Sequence, residues 1–236
     1  MIPQSALFIF LLFLIYFISR KIIQKISSLI DLFLPAQKKS LWILAVFYLP
    51  GTLFHEMSHF IAAIILRVPT GPLSIFPTFD QEPKANGVAV KTKLGHIKVA
   101  GTDPFRLSLI GLSPILTGLA IIYFTGEIFF PDFSSILDVS NIPKNLLGVY
   151  ILFITSSSMF SSRQDLKSLL ISLPVIVLII SALWFSGIRI VFGENLIEGT
   201  TNILALLNKY LLLTAIIDYT VFLICATGKT VITGKK

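Results

Sequence analysis

Apolar residues in this chain fall in long unbroken blocks, and that pattern constrains the fold more than any other feature. Six blocks stand out: Ile2–Ser19, Leu41–Leu66, Phe105–Thr125, Leu146–Ser161, Leu169–Val191 and Leu204–Thr227. An apolar run of about 18 residues or more is long enough to cross the hydrocarbon core of a bilayer. Only 13% of the 236 residues are charged, where a soluble domain carries about 25%, so the solvent expected here is lipid. The expectation is an all-α polytopic membrane protein with about six transmembrane helices, residues 1–236 forming a single integral membrane domain. The first block has no basic residue before it and is read as a retained span rather than a secretory signal.

The formal net charge is +7. In a soluble chain that surplus would suggest nucleic acid. Here the Lys and Arg flank the apolar blocks, where they set orientation, and no nucleic-acid partner is expected. The polar stretch 67–104 and its flank hold Arg67, Lys84, Lys91, Lys93, Lys98 and Arg106, which argues for the cytosol. Gly126–Asn145 carries Glu127, Asp132 and Asp138 against Lys144, which suits the outside. Arg163 and Lys167, then Lys229, Lys235 and Lys236, read as inside again. The amphipathic linker Arg20–Ser40 breaks the pattern, because a second span running inward leaves its basic residues outside. The single cysteine, Cys225, excludes an intrachain disulfide and any cysteine metal cluster.

Within the polar stretch, Gly87–Thr92 and His96–Ala100 have strand composition, with Leu94-Gly95 suited to a turn between them. They predict a small β-hairpin insertion between the second and third spans.

The chemistry concentrates in His55-Glu56-Met57-Ser58-His59. Residues four apart share one helix face, so His55 and His59 can grip one Zn²⁺ per chain. Glu56 sits about 100° round the helix, close enough to take a proton from an activated water without being a ligand. The chain has only three histidines, and two of them stand at ligand spacing inside a span. Ionisable groups there cost roughly 2.5 kcal/mol or more each, and a metal is a natural compensating partner. The competing reading is a transporter or channel-like protein with His55, Glu56 and His59 lining a polar path.

A catalytic zinc needs three protein ligands and an open position. Asp165 lies just beyond the inner end of the fourth span, level with His55 and His59 in the orientation above, and is the first candidate. Its alternative role is a helix N-cap or an interfacial charge. His96 is a weaker candidate, and Asp80, Glu82 and Asp103 require the polar loop to fold back. Glu194 and Glu198 would suit a different metalloprotease class. Asp218, deep in the sixth span, has no assigned role. Pro50-Gly51 either kinks the second span to admit water or packs against a neighbour. Ser156, Ser157, Ser158, Ser161 and Ser162 either bind water or let helices approach closely.

Taken together, the chain resembles the site-2 protease (M50) family of intramembrane zinc metalloproteases. The likeness rests on the membrane-embedded HEMSH, on Gly111-Leu112-Ser113-Pro114-Ile115-Leu116-Thr117-Gly118 as a Gly/Pro-containing core helix, and on Asp165 at the end of a later span. It covers about residues 41–167, leaving 168–236 as additional C-terminal helices. The family's usual aspartate motif is Leu-Asp-Gly, whereas Asp165 is followed by Leu166-Lys167. Thr117 stands where many members have Asn. The resemblance implies a zinc endopeptidase whose substrate is a membrane protein or peptide, and the charge distribution above puts its active site near the cytosolic face. It also implies that an exposed strand between the first two core helices holds the substrate by β-augmentation.

Overall fold

The computed structural model describes residues 2–33, 37–72, 74, 78–84, 87–93, 101–132, 141–160, 174, 177–178, 181–182, 185–186 and 193–233. Five helices are defined within them: α1 (Ile2–Phe33), α2 (Gln37–Ile65), α3 (Pro104–Phe129), α4 (Ile142–Met159) and α5 (Glu194–Thr233). Of these, α1, α3 and α5 are long and apolar enough to cross a membrane. Together they make this a helical membrane protein. The finer count of six spans is not reached among the described residues. Where the sequence predicts a fifth span, residues 174, 177, 178, 181, 182 and 185 are helical, and the rest of that block lies outside the described residues.

Several boundaries differ from expectation. Arg20–Ser40 is not a separate linker, since α1 continues through Phe33 in one 32-residue helix. The apolar period simply carries on past Arg20: Ile22 is buried, and Ile18, Ile26 and Ile30 pack in the same cluster. The polar stretch does contain a two-stranded antiparallel ladder, but not the predicted one. Its strands are β1 (Thr78–Lys84) and β2 (Gly87–Lys93), paired from Thr78↔Lys93 to Lys84↔Gly87. Gly87–Thr92 therefore pairs with the segment before it. His96–Ala100 lies outside the described residues.

Contacts along the helices fix their relative directions. Asn208 donates to the Gln4 carbonyl and side chain at one end, and Leu29 faces Gly228 near the other, so α1 and α5 run parallel. Gly148 faces Phe130 and Gly118 faces Met159, so α3 and α4 are antiparallel. Helix α4 touches each of the other described helices, and Leu152 through Met159 are all buried. This places Ser156, Ser157 and Ser158 at the centre of the bundle, while Ser161 and Ser162 lie outside the described residues.

The end of α2 is built to turn. Arg67 adopts a left-handed φ of 55°, Val68 N–H donates to the Ala63 carbonyl at 2.8 Å, and Arg67 N–H donates to Ile64 at 3.0 Å. That is the Schellman pattern, with Val68 and Ala63 meeting in a small cluster that also holds Ile110 of α3. Helix α3 starts at Pro104, behind an Asp103 N-cap whose carboxylate accepts from Arg106 N–H at 2.9 Å. Arg106 reaches back to the Leu66 carbonyl. The two devices hold the C-terminal half of α2 antiparallel against the first turns of α3.

Candidate metal centre

His55, Glu56, Ser58 and His59 are all buried, at 4–7% exposure, while Met57 between them is 39% exposed. The helix thus turns the chemical face of HEMSH into the bundle. The His55 and His59 rings meet edge to face, with Nε2 atoms 3.3 Å apart. Ser58 Oγ donates to the His55 carbonyl.

His59 Nδ1 lies 2.8 Å from the Ile110 carbonyl of α3. A carbonyl can only accept, so Nδ1 carries the hydrogen, and in the neutral ring Nε2 keeps its lone pair. Metal-bound histidines characteristically donate their other ring N–H to such an acceptor. Two nitrogens bound at about 2.0–2.1 Å to a tetrahedral ion stand about 3.3–3.4 Å apart. The spacing and the tautomer both fit zinc.

The Ile110 carbonyl is available for a reason that lies in the sequence. In an uninterrupted helix it would accept from the N–H four residues on. Residue 114 is proline and has none. The carbonyl instead takes His59 Nδ1–H and, at 2.7 Å, the Ser113 hydroxyl.

A cavity of about 10 Å³ opens beside His55, lined by residues that include Pro114, Thr117 and Gly118 of α3 and Thr155 and Ser158 of α4. That is about the smallest volume that holds one water. Thr155 is 2% exposed, and its hydroxyl has no hydrogen-bond partner among the described residues.

Among the described residues no group of three or more His, Cys, Asp or Glu converges as a metal cage. Asp165 lies outside the described residues, as does His96. Six of the other acids have other places. Asp103 caps α3, Glu127 accepts from Tyr210 Oη at 2.8 Å, and Glu194 and Glu198 are exposed at the start of α5. Asp80 and Glu82 belong to β1.

Asp218, which the sequence left without a role, is fully buried and accepts from Ser156 Oγ at 2.9 Å. The Tyr48 hydroxyl has Ser157 and Asp218 among its polar neighbours. These groups form a buried polar seam where α2, α4 and α5 meet. An intramembrane Asp on an α5 face that packs inward was the available signal.

No family model matches the chain, and neither a curated protein nor a solved structure does.

Proposed function

We propose that the chain is an intramembrane zinc metalloendopeptidase that cleaves membrane-bound or membrane-proximal proteins, with its active site near the cytosolic face. One observation carries the reading: two buried imidazoles present their Nε2 atoms to each other at 3.3 Å while His59 Nδ1–H is engaged by the Ile110 carbonyl. His55 and His59 would hold the ion, with Asp165 as the third ligand. Bound zinc supplies a Lewis acid that polarises a carbonyl and brings a water's pKa toward neutrality.

The rest of the work falls to the chain. Glu56 follows His55 directly on a helix whose neighbouring turns are packed against α3 and α4. In this reading its carboxylate would hold the proton lost by the attacking water and return it to the leaving amine. Burial of the site limits its contact with bulk water, and the small cavity beside His55 has room for about one water. In this reading six helices span the membrane, the block containing residues 174–185 supplies the one not fully described, and the basic stretch 67–104 faces the cytosol. An exposed edge of the β1–β2 ladder would hold the substrate extended by β-augmentation.

The test is zinc content of purified protein, paired with cleavage of a helical membrane peptide. Wild type should hold about one zinc per chain. Glu56→Gln should keep the metal and lose turnover, His55→Ala should lose both, and Asp165→Ala should weaken binding. Wild type that purifies without metal from zinc-replete medium refutes the protease and favours a polar transport path.

A further inference from the structure

We infer that Pro114 is a positioning residue for the metal centre: by removing a backbone donor, it frees the Ile110 carbonyl to fix the tautomer and direction of the His59 ring. This rests on the zinc reading above and adds a residue that acts on the metal centre through His59, beside its place in the lining of the small cavity next to His55.

The argument is a count of donors and lone pairs. A carbonyl oxygen has two lone pairs. At Ile110 both are taken, by His59 Nδ1–H at 2.8 Å and by Ser113 Oγ–H at 2.7 Å. A residue with an N–H at position 114 would bring a third donor, held in place by the helix itself. A backbone donor fixed by helix geometry is expected to displace a side chain that must pay rotamer entropy to compete. The ring of His59 would then lose its anchor. The neutral ring would be free to exchange between its two tautomers, and the 3.3 Å approach to His55 Nε2 would loosen. Proline inside a helix is costly, about 3 kcal/mol against alanine. Here the freed acceptor is used at the one place where α3 meets the second histidine of HEMSH.

The count also predicts a rescue. Removing the Ser113 hydroxyl vacates one lone pair. In Ser113→Ala/Pro114→Ala the carbonyl has room for both the backbone N–H and His59. A residue that merely shapes the bundle would not be rescued by deleting a neighbouring hydroxyl.

The experiment uses full-length protein in detergent, with zinc affinity measured by chelator competition and imidazole tautomers read from ¹⁵N-histidine spectra of the metal-free samples. Wild type should show His59 as the Nδ1–H form. Pro114→Ala should lower zinc affinity 10- to 100-fold, the range for lost outer-shell partners, and shift His59 to mixed tautomers. Its metal-free thermal midpoint should be unchanged or higher. Ser113→Ala alone should bind zinc like wild type, and the double variant should recover most of the affinity and the Nδ1–H form. Pro114→Ala with wild-type affinity and an unchanged tautomer overturns the inference, and so does failure of the double variant to recover. If wild type itself binds no zinc, the metal reading falls. The tautomer comparison then decides by itself whether Pro114 holds the ring, and an unchanged His59 spectrum overturns that too.

Discussion

Gly51 lies flat against the backbone of Ile154: a Cβ on Gly51 would stand 2.8 Å from the Ile154 carbonyl oxygen and 2.9 Å from Ser158 Oγ. This supports the packing role for Gly51 in the pair Pro50-Gly51. The carbonyl is part of α4 and cannot swing aside, so Gly51→Ala must push α2 away from α4. Overpacking of this kind costs about 1–3 kcal/mol. His55 is one turn further along the same helix and lines a cavity with Thr155 and Ser158, so the displacement should reach the metal centre. Gly51→Ala should lower the unfolding midpoint in detergent and also weaken zinc binding. Gly118→Ala is a useful contrast, since the nearest atom there is Met159 Cβ at 3.0 Å and the next is its mobile Sδ at 3.2 Å, a less severe approach than at Gly51, and its loss of stability should be smaller.

The buried pair Ser156–Asp218 should behave as a coupled unit. Ser156 also lies 2.8 Å from the Phe153 carbonyl, so its single hydroxyl proton is shared between two acceptors. Among the described residues Asp218 Oδ2 has no hydrogen-bond partner, and Ser156 is the side chain bonded to this carboxyl group. Ser156→Ala should therefore cost about 1–3 kcal/mol, the penalty for stranding a buried polar group. Asp218→Asn keeps the shape without the ionisable group and should cost less. A double-mutant cycle from unfolding curves in detergent should give a coupling of about 1 kcal/mol. Additive effects would show that the two side chains stabilise the bundle independently.

Arg67 occupies a conformation that suits glycine. With φ at 55° and an exposed side chain, it places a Cβ where the left-handed backbone tolerates one poorly, at a cost of roughly 1–2 kcal/mol. Both Schellman hydrogen bonds are made by the backbone and survive substitution. Arg67→Gly should raise stability by about 0.5–1 kcal/mol, provided the Arg67 side chain contributes nothing in detergent, and chemical unfolding would measure it. Arg67→Val, branched at Cβ, should move the other way.

Much of this arrangement is legible along the chain, and the gaps have physical causes. The i, i+4 histidines are local, so the spacing alone brought His55 and His59 together on one buried face. The apolar blocks marked the helices because lipid demands length and low charge. The extent of α1 was missed because Arg20, Lys21 and Lys25 looked like the start of a linker. A helix lets such residues alternate with Ile22, Ile26 and Ile30, which stay on the packed side. The strand pairing was missed by favouring Leu94-Gly95 as the turn, whereas the ladder closes at Lys84↔Gly87. The role of Asp218 depends on α4 and α5 meeting across 62 residues, and no local pattern carries that. Pro114 is intermediate. Its effect on Ile110 is a local rule, but the partner that uses the freed carbonyl lies 51 residues away.

The start of α3 should respond to acid. Asp103 accepts a hydrogen bond from Arg106 N–H and sits 3.2 Å from the Arg106 guanidinium. First that backbone bond, and then the nearby charge, hold its carboxyl below its ordinary value of 3.8. A folded-state pKa that is depressed means the ionised form is preferred in the native protein. The contribution is therefore complete above about pH 5. It declines as pH falls through the ordinary value and then through the lower native one. The group is exposed, so salt should weaken the ion-pair part more than the cap itself. Wild type should lose stability relative to Asp103→Ala between about pH 4 and pH 2, with a constant difference between the two at neutral pH. Asp103→Asn, which can still cap the helix without a charge, should keep most of the neutral-pH stability and lose the acid dependence. Thermal unfolding of the three proteins in detergent at pH 7, 4 and 2.5 would measure this. Parallel curves for wild type and Asp103→Ala across that range would mean the cap does not hold the first turn of α3, and with it the Ile110 carbonyl, in place.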